Sequence, residues 1–164
     1  MPIADSIWYP SVEDVLAIHD DIVSEYSGTR SGVQSRGDIE FVLNYIEDGS
    51  LGVAPETIHE KAVHLLRLLV ASHPFVDANK RTALNTTTVF YFHNGYRFRH
   101  DEEIRSLFQQ FGTDETSVDD TETIEYLCSH TEVIDLAGEI EAWREDLIQY
   151  GIDELTGDSS DPND

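Results

Sequence analysis

Apolar positions recur at three- and four-residue steps through most of this chain. Val12, Val15, Leu16, Ile18, Ile22 and Val23 form the first stripe, and Ser11, with Asp14 three residues on, reads as its N-cap. Ile39, Val42, Leu43 and Ile46 form a second, capped by Ser35 and ended by Gly49. Ile58, Ala62, Leu65, Leu66 and Leu69 make the most apolar helix, which belongs at the centre of the core. Pro55 suits the first turn of that helix, and Pro74 disfavours helix at His73 and stops it there. A fourth helix runs from near Asn79 to Asn94, with Gly95 closing it. Its middle, Asn85 to Thr88, has poor propensity and becomes helical only where packing enforces it. Further helices fit 101–111, 117–129 and 133–150, and a short strand fits 96–99. Tyr26 to Gly37, with Gly28, Gly32 and Gly37, reads as a loop. The pattern predicts an all-α fold: a compact helical domain of six to seven helices, with room for one short β-hairpin or strand near 96–99.

A length of 164 residues suggests one domain with a short appendage. Charge changes the picture more: 33 Asp and Glu against 10 Lys and Arg leave −23. So acidic a chain has no basic face for phosphate backbones, which argues against direct nucleic-acid binding, and no attraction to anionic lipid. No apolar run approaches the ~20 residues of a membrane span and no apolar leader follows Met1, so a cytoplasmic protein is expected. The acids are spread from end to end and Lys61 and Lys80 are the only lysines, a surface suited to the cytoplasm of a high-salt organism.

Several near-matches to reactive sites fail. His59 and His64 resemble a zinc-protease pair but lie five residues apart, about 140° around a helix, so one metal does not take both. His59 is expected exposed and His64 half-buried. Gly32 and Gly37 have phosphate-loop spacing, yet Asp38-Ile39 stands where Lys-Ser/Thr is required. A lone Cys128 excludes an intramolecular disulfide and any multi-cysteine metal site, and is expected in the core.

One segment does gather chemistry. Between the two most apolar helices lies His73-Pro74-Phe75-Val76-Asp77-Ala78-Asn79-Lys80-Arg81. The free N–H groups and dipole of a helix N-terminus favour an anion, and Lys80 and Arg81 add full positive charge, making a natural phosphate seat. Asp77 offers a carboxylate to a divalent cation bridging phosphates. His73, on the loop, can accept a proton from a hydroxyl, while Phe75 and Val76 peg the loop to the core. The bland alternative is a helix capped by Asp77 or Asn79 with two solvated cations. Any one of these residues alone fits that alternative; the set together does not.

This run resembles the signature H-x-F-x-D/N-A/G-N-K/G-R of the Fic/Doc superfamily, closer to its Doc (death-on-curing) branch. The likeness extends over Ile18-His19-Asp20, the loop through Arg36-Gly37, the Leu-rich helix and the Phe92-His93-Asn94-Gly95 ending. It implies a Fic/Doc-like domain over 11–131, preceded by a lead-in over 1–10; the extra C-terminal helix over 132–150 and the disordered acidic tail over 151–164 are read from periodicity and composition alone. It also implies a toxin of a toxin–antitoxin pair that moves the terminal phosphate of ATP, with Mg²⁺, to a hydroxyl of a target protein, a translation elongation factor in Doc-type toxins. His73 is then the catalytic base and Asp77 the metal ligand, with Ala78, Asn79, Lys80 and Arg81 binding the nucleotide. The alternatives are a Fic-like AMP-transferase and a silent homologue kept for binding. AMP-transferring members typically have glycine at the Lys80 position and arginine at that of Leu84. Many Fic proteins also carry an inhibitory helix, Ser/Thr-x-x-x-Glu-Gly/Asn. Thr121 to Glu125 comes nearest, but Tyr126 follows, so inhibition by a separate antitoxin is expected.

Overall fold

The computed structural model describes residues 6–113 and 120–157. Its elements run α1 (Val12–Glu25), α2 (Arg36–Asp48), α3 (Ile58–Ser72), α4 (Asn79–His93), β1 (Tyr96–Phe98), α5 (Ile104–Thr113), α6 (Asp120–Ser129), β2 (Thr131–Val133) and α7 (Leu136–Gly157). The all-α expectation holds: the described residues form seven helices and one small antiparallel strand pair, β1 with β2. The partner strand β2 carries no alternation long enough to read in the sequence.

The caps explain where the helices start. Ser11 accepts the Asp14 N–H while Asp14 reaches back to the Ser11 N–H, a complete capping box, and Ser35 accepts the Asp38 N–H. Helix α3 begins later than Pro55 suggests, because Thr57 and Glu60 form their own capping box and leave the proline outside. Gly49 closes α2 at φ 74°, with its absent Cβ leaving room for the Val53 carbonyl, with which an alanine would collide.

Two compact units are distinguished, Met1–Glu132 and Val133–Asp164. In the first, α3 is the central helix, with Ala62, Val63, Leu65, Leu66, Leu69 and Val70 buried against α4 and α2. Lys61 on this helix is buried too, its Nζ donating at 2.6 Å to the Ile46 carbonyl near the C-terminus of α2, where the dipole favours a cation. Core packing holds the weak middle of α4 in helix: Thr86 and Thr87 are buried, and Thr87 and Thr88 return their hydroxyls to the carbonyls four residues back. Trp8 ties the start of the described chain to the end of α4. It exchanges backbone hydrogen bonds with the Asn94 side chain and stacks on His93 at 4.0 Å.

The second unit contains α7, which continues to Gly157, past the expected end at Tyr150. Side-chain hydrogen bonds from Gln149 to Asp153 and from Tyr150 to Glu154 carry the helix across Gly151. The expected tail beyond 157, the start of the lead-in and the expected helix start near Ser117 lie outside the described residues. Ile140, Trp143, Leu147 and Tyr150 are exposed along α7 at three- and four-residue steps.

One local pair makes stability pH-dependent. His130 places Nε2 2.9 Å from Asp101 and Nδ1 2.7 Å from the Tyr126 carbonyl, so both ring nitrogens face acceptors. Burial opposes the charged ring, but the Tyr126 carbonyl and the Asp101 carboxylate outweigh it and raise the His130 pKa. Asp101 is lowered, first through its hydrogen bond with His130. The raised histidine contributes stability below its ordinary value of about 6.5, lost as pH rises through the higher folded value. The lowered carboxyl contributes above its ordinary value of about 3.9, lost as pH falls. Asp101→Asn should therefore destabilise most between about pH 5 and 6 and much less above about pH 8. Urea unfolding of both proteins at the two pH values checks this; a gap that widens with pH would contradict it.

Candidate active site

The loop between α3 and α4 is held in an unusual backbone path. His73, the C-cap of α3, and Ala78, the N-cap of α4, are both left-handed, with φ 48° and 62°. Neither is glycine, so each costs about 1–2 kcal/mol. Neighbouring groups offset that strain. Phe75 is fully buried, worth about 1.5–3 kcal/mol, and several hydrogen bonds of about 1 kcal/mol each fasten the backbone. Pro74 accepts the N–H groups of Gln34 and Ser35, Val76 donates to the Gly32 carbonyl, and Val33 bridges to Phe75. Gly32, at φ 134°, permits that approach; an added Cβ would come within 2.9 Å of the Val76 side chain. Asn79 completes the clasp, its Oδ1 accepting the Phe75 N–H and its Nδ2 donating to the Phe75 carbonyl, both at 2.9 Å.

Clasped in this way, the loop opens on a cavity of about 560 Å³ lined by His73, Val76, Asp77, Ala78, Asn79, Lys80 and Arg81, with Ser27, Gly28 and Thr29 opposite in sequence. All six residues singled out from the sequence therefore line one cavity. The first backbone N–H groups of α4 have no carbonyl one turn back, so Asn79, Lys80 and Arg81 offer donors at a positive helix end. Lys80 and Arg81 are exposed, and the Arg81 guanidinium lies 4.2 Å from the centre of the Tyr26 ring, which restrains it by a cation–π contact. His73 is exposed at the cavity wall.

Asp77 is ionised and oriented by backbone. Its Oδ2 accepts the Arg30 N–H at 3.1 Å and its Oδ1 the Ala78 N–H at 2.8 Å, and these two bonds, Arg30's first, hold the carboxyl below the usual range. Each oxygen takes one N–H and keeps a lone pair to spare. Asp77 is the sole carboxylate among the described residues lining the cavity. One carboxylate beside a phosphate seat fits Mg²⁺, which takes one or two carboxylates and fills its shell with phosphate and water oxygens.

Other expectations are corrected. The Asn79 side chain is engaged on both sides with Phe75, which leaves its backbone N–H, in the first turn of α4, as the donor it can offer. Cys128 is exposed rather than in the core, because α6 turns Thr123, Tyr126 and Leu127 inward and the next residue falls outside that arc. His59 is half-buried rather than exposed, bonded at 2.8 Å to the Tyr91 hydroxyl, while His64 lies 3.0 Å from an Arg67 nitrogen. The two rings have separate partners, and burial lowers both pKa values. Asp101, Glu103 and His130 lie close enough to share an ion, but Asp101 and His130 form the pair already described, and none of the three lines this cavity. Among the described residues α6 contributes nothing to the cavity either, and Glu125, the nearest match to an inhibitory glutamate, is exposed.

The 26–35 loop, which shows in the sequence only as a loop, supplies much of the site. Ser27, Gly28 and Thr29 form one wall, Arg30 orients Asp77 and Tyr26 restrains Arg81. Their signal was limited to loop-forming glycines, which do not reveal what the loop faces.

A family model described as "Fic/DOC family" matches residues 9–91, which include the first four helices up to Tyr91 and the whole loop. The chain is also similar to "Protein kinase doc" of Escherichia phage P1, with 31% identity over 108 residues covering 66% of this chain and 85% of the phage protein.

Proposed function

The chain belongs to the Fic/DOC family, on its Doc branch, and on that footing we propose that it is a toxin kinase that moves the terminal phosphate of ATP to a hydroxyl of a target protein. The observation that carries the reading is the shared cavity: an exposed histidine and a helix N-terminus with two cations open on the same space, within reach of one phosphoester. In this reaction the hydroxyl oxygen bonds to the γ-phosphorus, the bond to the β-phosphate oxygen breaks, and ADP leaves. His73 takes the hydroxyl proton. The N–H groups of Asn79, Lys80 and Arg81, with the Lys80 ammonium and the Arg81 guanidinium, hold phosphate oxygens and offset the charge that spreads over them in transfer. Asp77 would hold Mg²⁺, whose chemistry there is charge neutralisation on the phosphates.

Lys80 and Leu84 favour the γ- over the α-phosphate. Lys80 brings a cation into space that a glycine leaves open, and Leu84, one turn on, is only 8% exposed and offers no charge to grip the triphosphate. Moving cations moves the phosphorus that is held for in-line attack. By family resemblance the target is a translation elongation factor, and a separate antitoxin supplies the inhibition that α6 does not. The acidic coat suits a cytoplasm of concentrated salt.

Parallel reactions with ATP labelled at the α- or the γ-phosphate test the reading, using lysate of a related host as the source of target. Label reaching protein from the γ position alone is the expected result. Label from the α position alone would make the protein an AMP-transferase.

A further inference from the structure

Helix α1 turns Val15, His19 and Ile22 into the core, and His19 is the polar exception, 1% exposed. Its ring lies flat on Phe75, with centroids 3.8 Å apart and planes 6° from parallel. Its Nε2 is 3.0 Å from the backbone carbonyl oxygen of Asp77. A carbonyl accepts only, so Nε2 carries the proton. The same peptide unit is held at its other end, where the Ala78 N–H donates to Asp77 Oδ1. Both polar atoms of the 77–78 peptide are therefore fastened immediately before the left-handed Ala78.

That peptide has an alternative. An L-residue prefers negative φ, and rotating the 77–78 peptide by about half a turn would return Ala78 to negative φ, out of the left-handed region. The rotation would also turn the Asp77 carbonyl away from His19 and the core, toward the side on which Asp77 and Ala78 line the cavity. A carbonyl dipole there would oppose an anion where the present path offers N–H groups. We propose that His19 is a positioning residue for the anion seat: stacked on Phe75, its Nε2–H latches the Asp77–Ala78 peptide so that the start of α4 presents donors to phosphate. The inference rests on the reading of this cavity as a phosphate site, and it assigns a function to a residue that touches no substrate.

The test uses the full chain and inorganic tripolyphosphate, followed by the amide NMR shifts of Asn79, Lys80 and Arg81. His19→Phe keeps a flat ring on Phe75 but has no donor, and should bind tripolyphosphate at least about tenfold more weakly. His19→Gln places an amide N–H near the Nε2 position and should recover affinity to within about threefold of wild type. A merely structural histidine would give the opposite order, because losing the aromatic stack would harm the glutamine variant more. Tripolyphosphate binding by His19→Phe equal to wild type, or His19→Gln as weak as His19→Phe, would overturn the proposal. So would a wild type whose α4 amides ignore tripolyphosphate, since there would be no seat to position. A measurement on the unaltered protein covers the case of an unfolded variant: ¹⁵N spectra should show the His19 ring protonated at Nε2, and protonation at Nδ1 alone overturns the latch. A wild type that binds tripolyphosphate through the latch yet transfers no phosphate from ATP removes the kinase reading and leaves the latch standing.

Discussion

His73→Ala should slow phosphate transfer by about 10²–10⁴-fold while leaving ATP affinity within roughly threefold of wild type. The two parts of that expectation come from different atoms. His73 caps the end of α3, at the other end of the loop from the α4 N–H groups proposed to hold the phosphates, and it is exposed rather than packed. Its loss removes a proton acceptor for the target hydroxyl and takes no donor from the nucleotide. Backbone strain is the competing explanation, because residue 73 has φ 48°. His73→Asn separates the two, since asparagine tolerates the left-handed region readily but is no general base. Both variants should lose transfer equally, with unchanged melting for His73→Asn. An asparagine variant with near-normal turnover would remove His73 from the proton transfer and leave it a loop residue.

What the sequence disclosed divides along physical lines. The helices were legible because a buried stripe repeats with the helical period, and Ser11 and Ser35 were legible because an N-cap needs a side-chain oxygen at a fixed position. Thr57 followed the same rule, but Pro55, also a helix-start residue, stood nearby and pointed to the wrong turn. The candidate site was legible as a set of residue types, since all six line one cavity. The duties of the individual residues were not. Asn79 reads as a phosphate ligand until its amide is seen bonded on both sides to Phe75, and His19 reads as one more residue near a helix face until Asp77 is seen across from it. These contacts join positions 4 and 58 residues apart by paths that no local periodicity encodes. The same holds for Arg30 and Asp77, and for the pairing of β1 with β2.

Asn79 supports the second large effect, in which the same side chain tests the clasp and the seat. Asn79→Ala removes both bonds to Phe75 and leaves its N–H and C=O without their partner, at about 1–3 kcal/mol. Loosening the loop should weaken ATP binding by roughly tenfold. Asn79→Asp retains the acceptor for the Phe75 N–H but sets a carboxylate oxygen against the Phe75 carbonyl. A negative charge at the first position of α4 gains about 0.3–1 kcal/mol from the helix dipole, less than the clasp loses. The charge also stands beside the site for phosphate, so ATP affinity should fall by at least about 100-fold. Calorimetry of both variants at low salt and at about 1 M salt separates the contributions, because at that ionic strength the Debye length is only ~3 Å. The alanine deficit should persist at high salt, since it comes from a lost clasp. The additional aspartate deficit should shrink, since it comes from charge. Asn79→Asp binding ATP as tightly as Asn79→Ala at low salt would place the phosphates away from the first turn of α4, and the proposed seat with them.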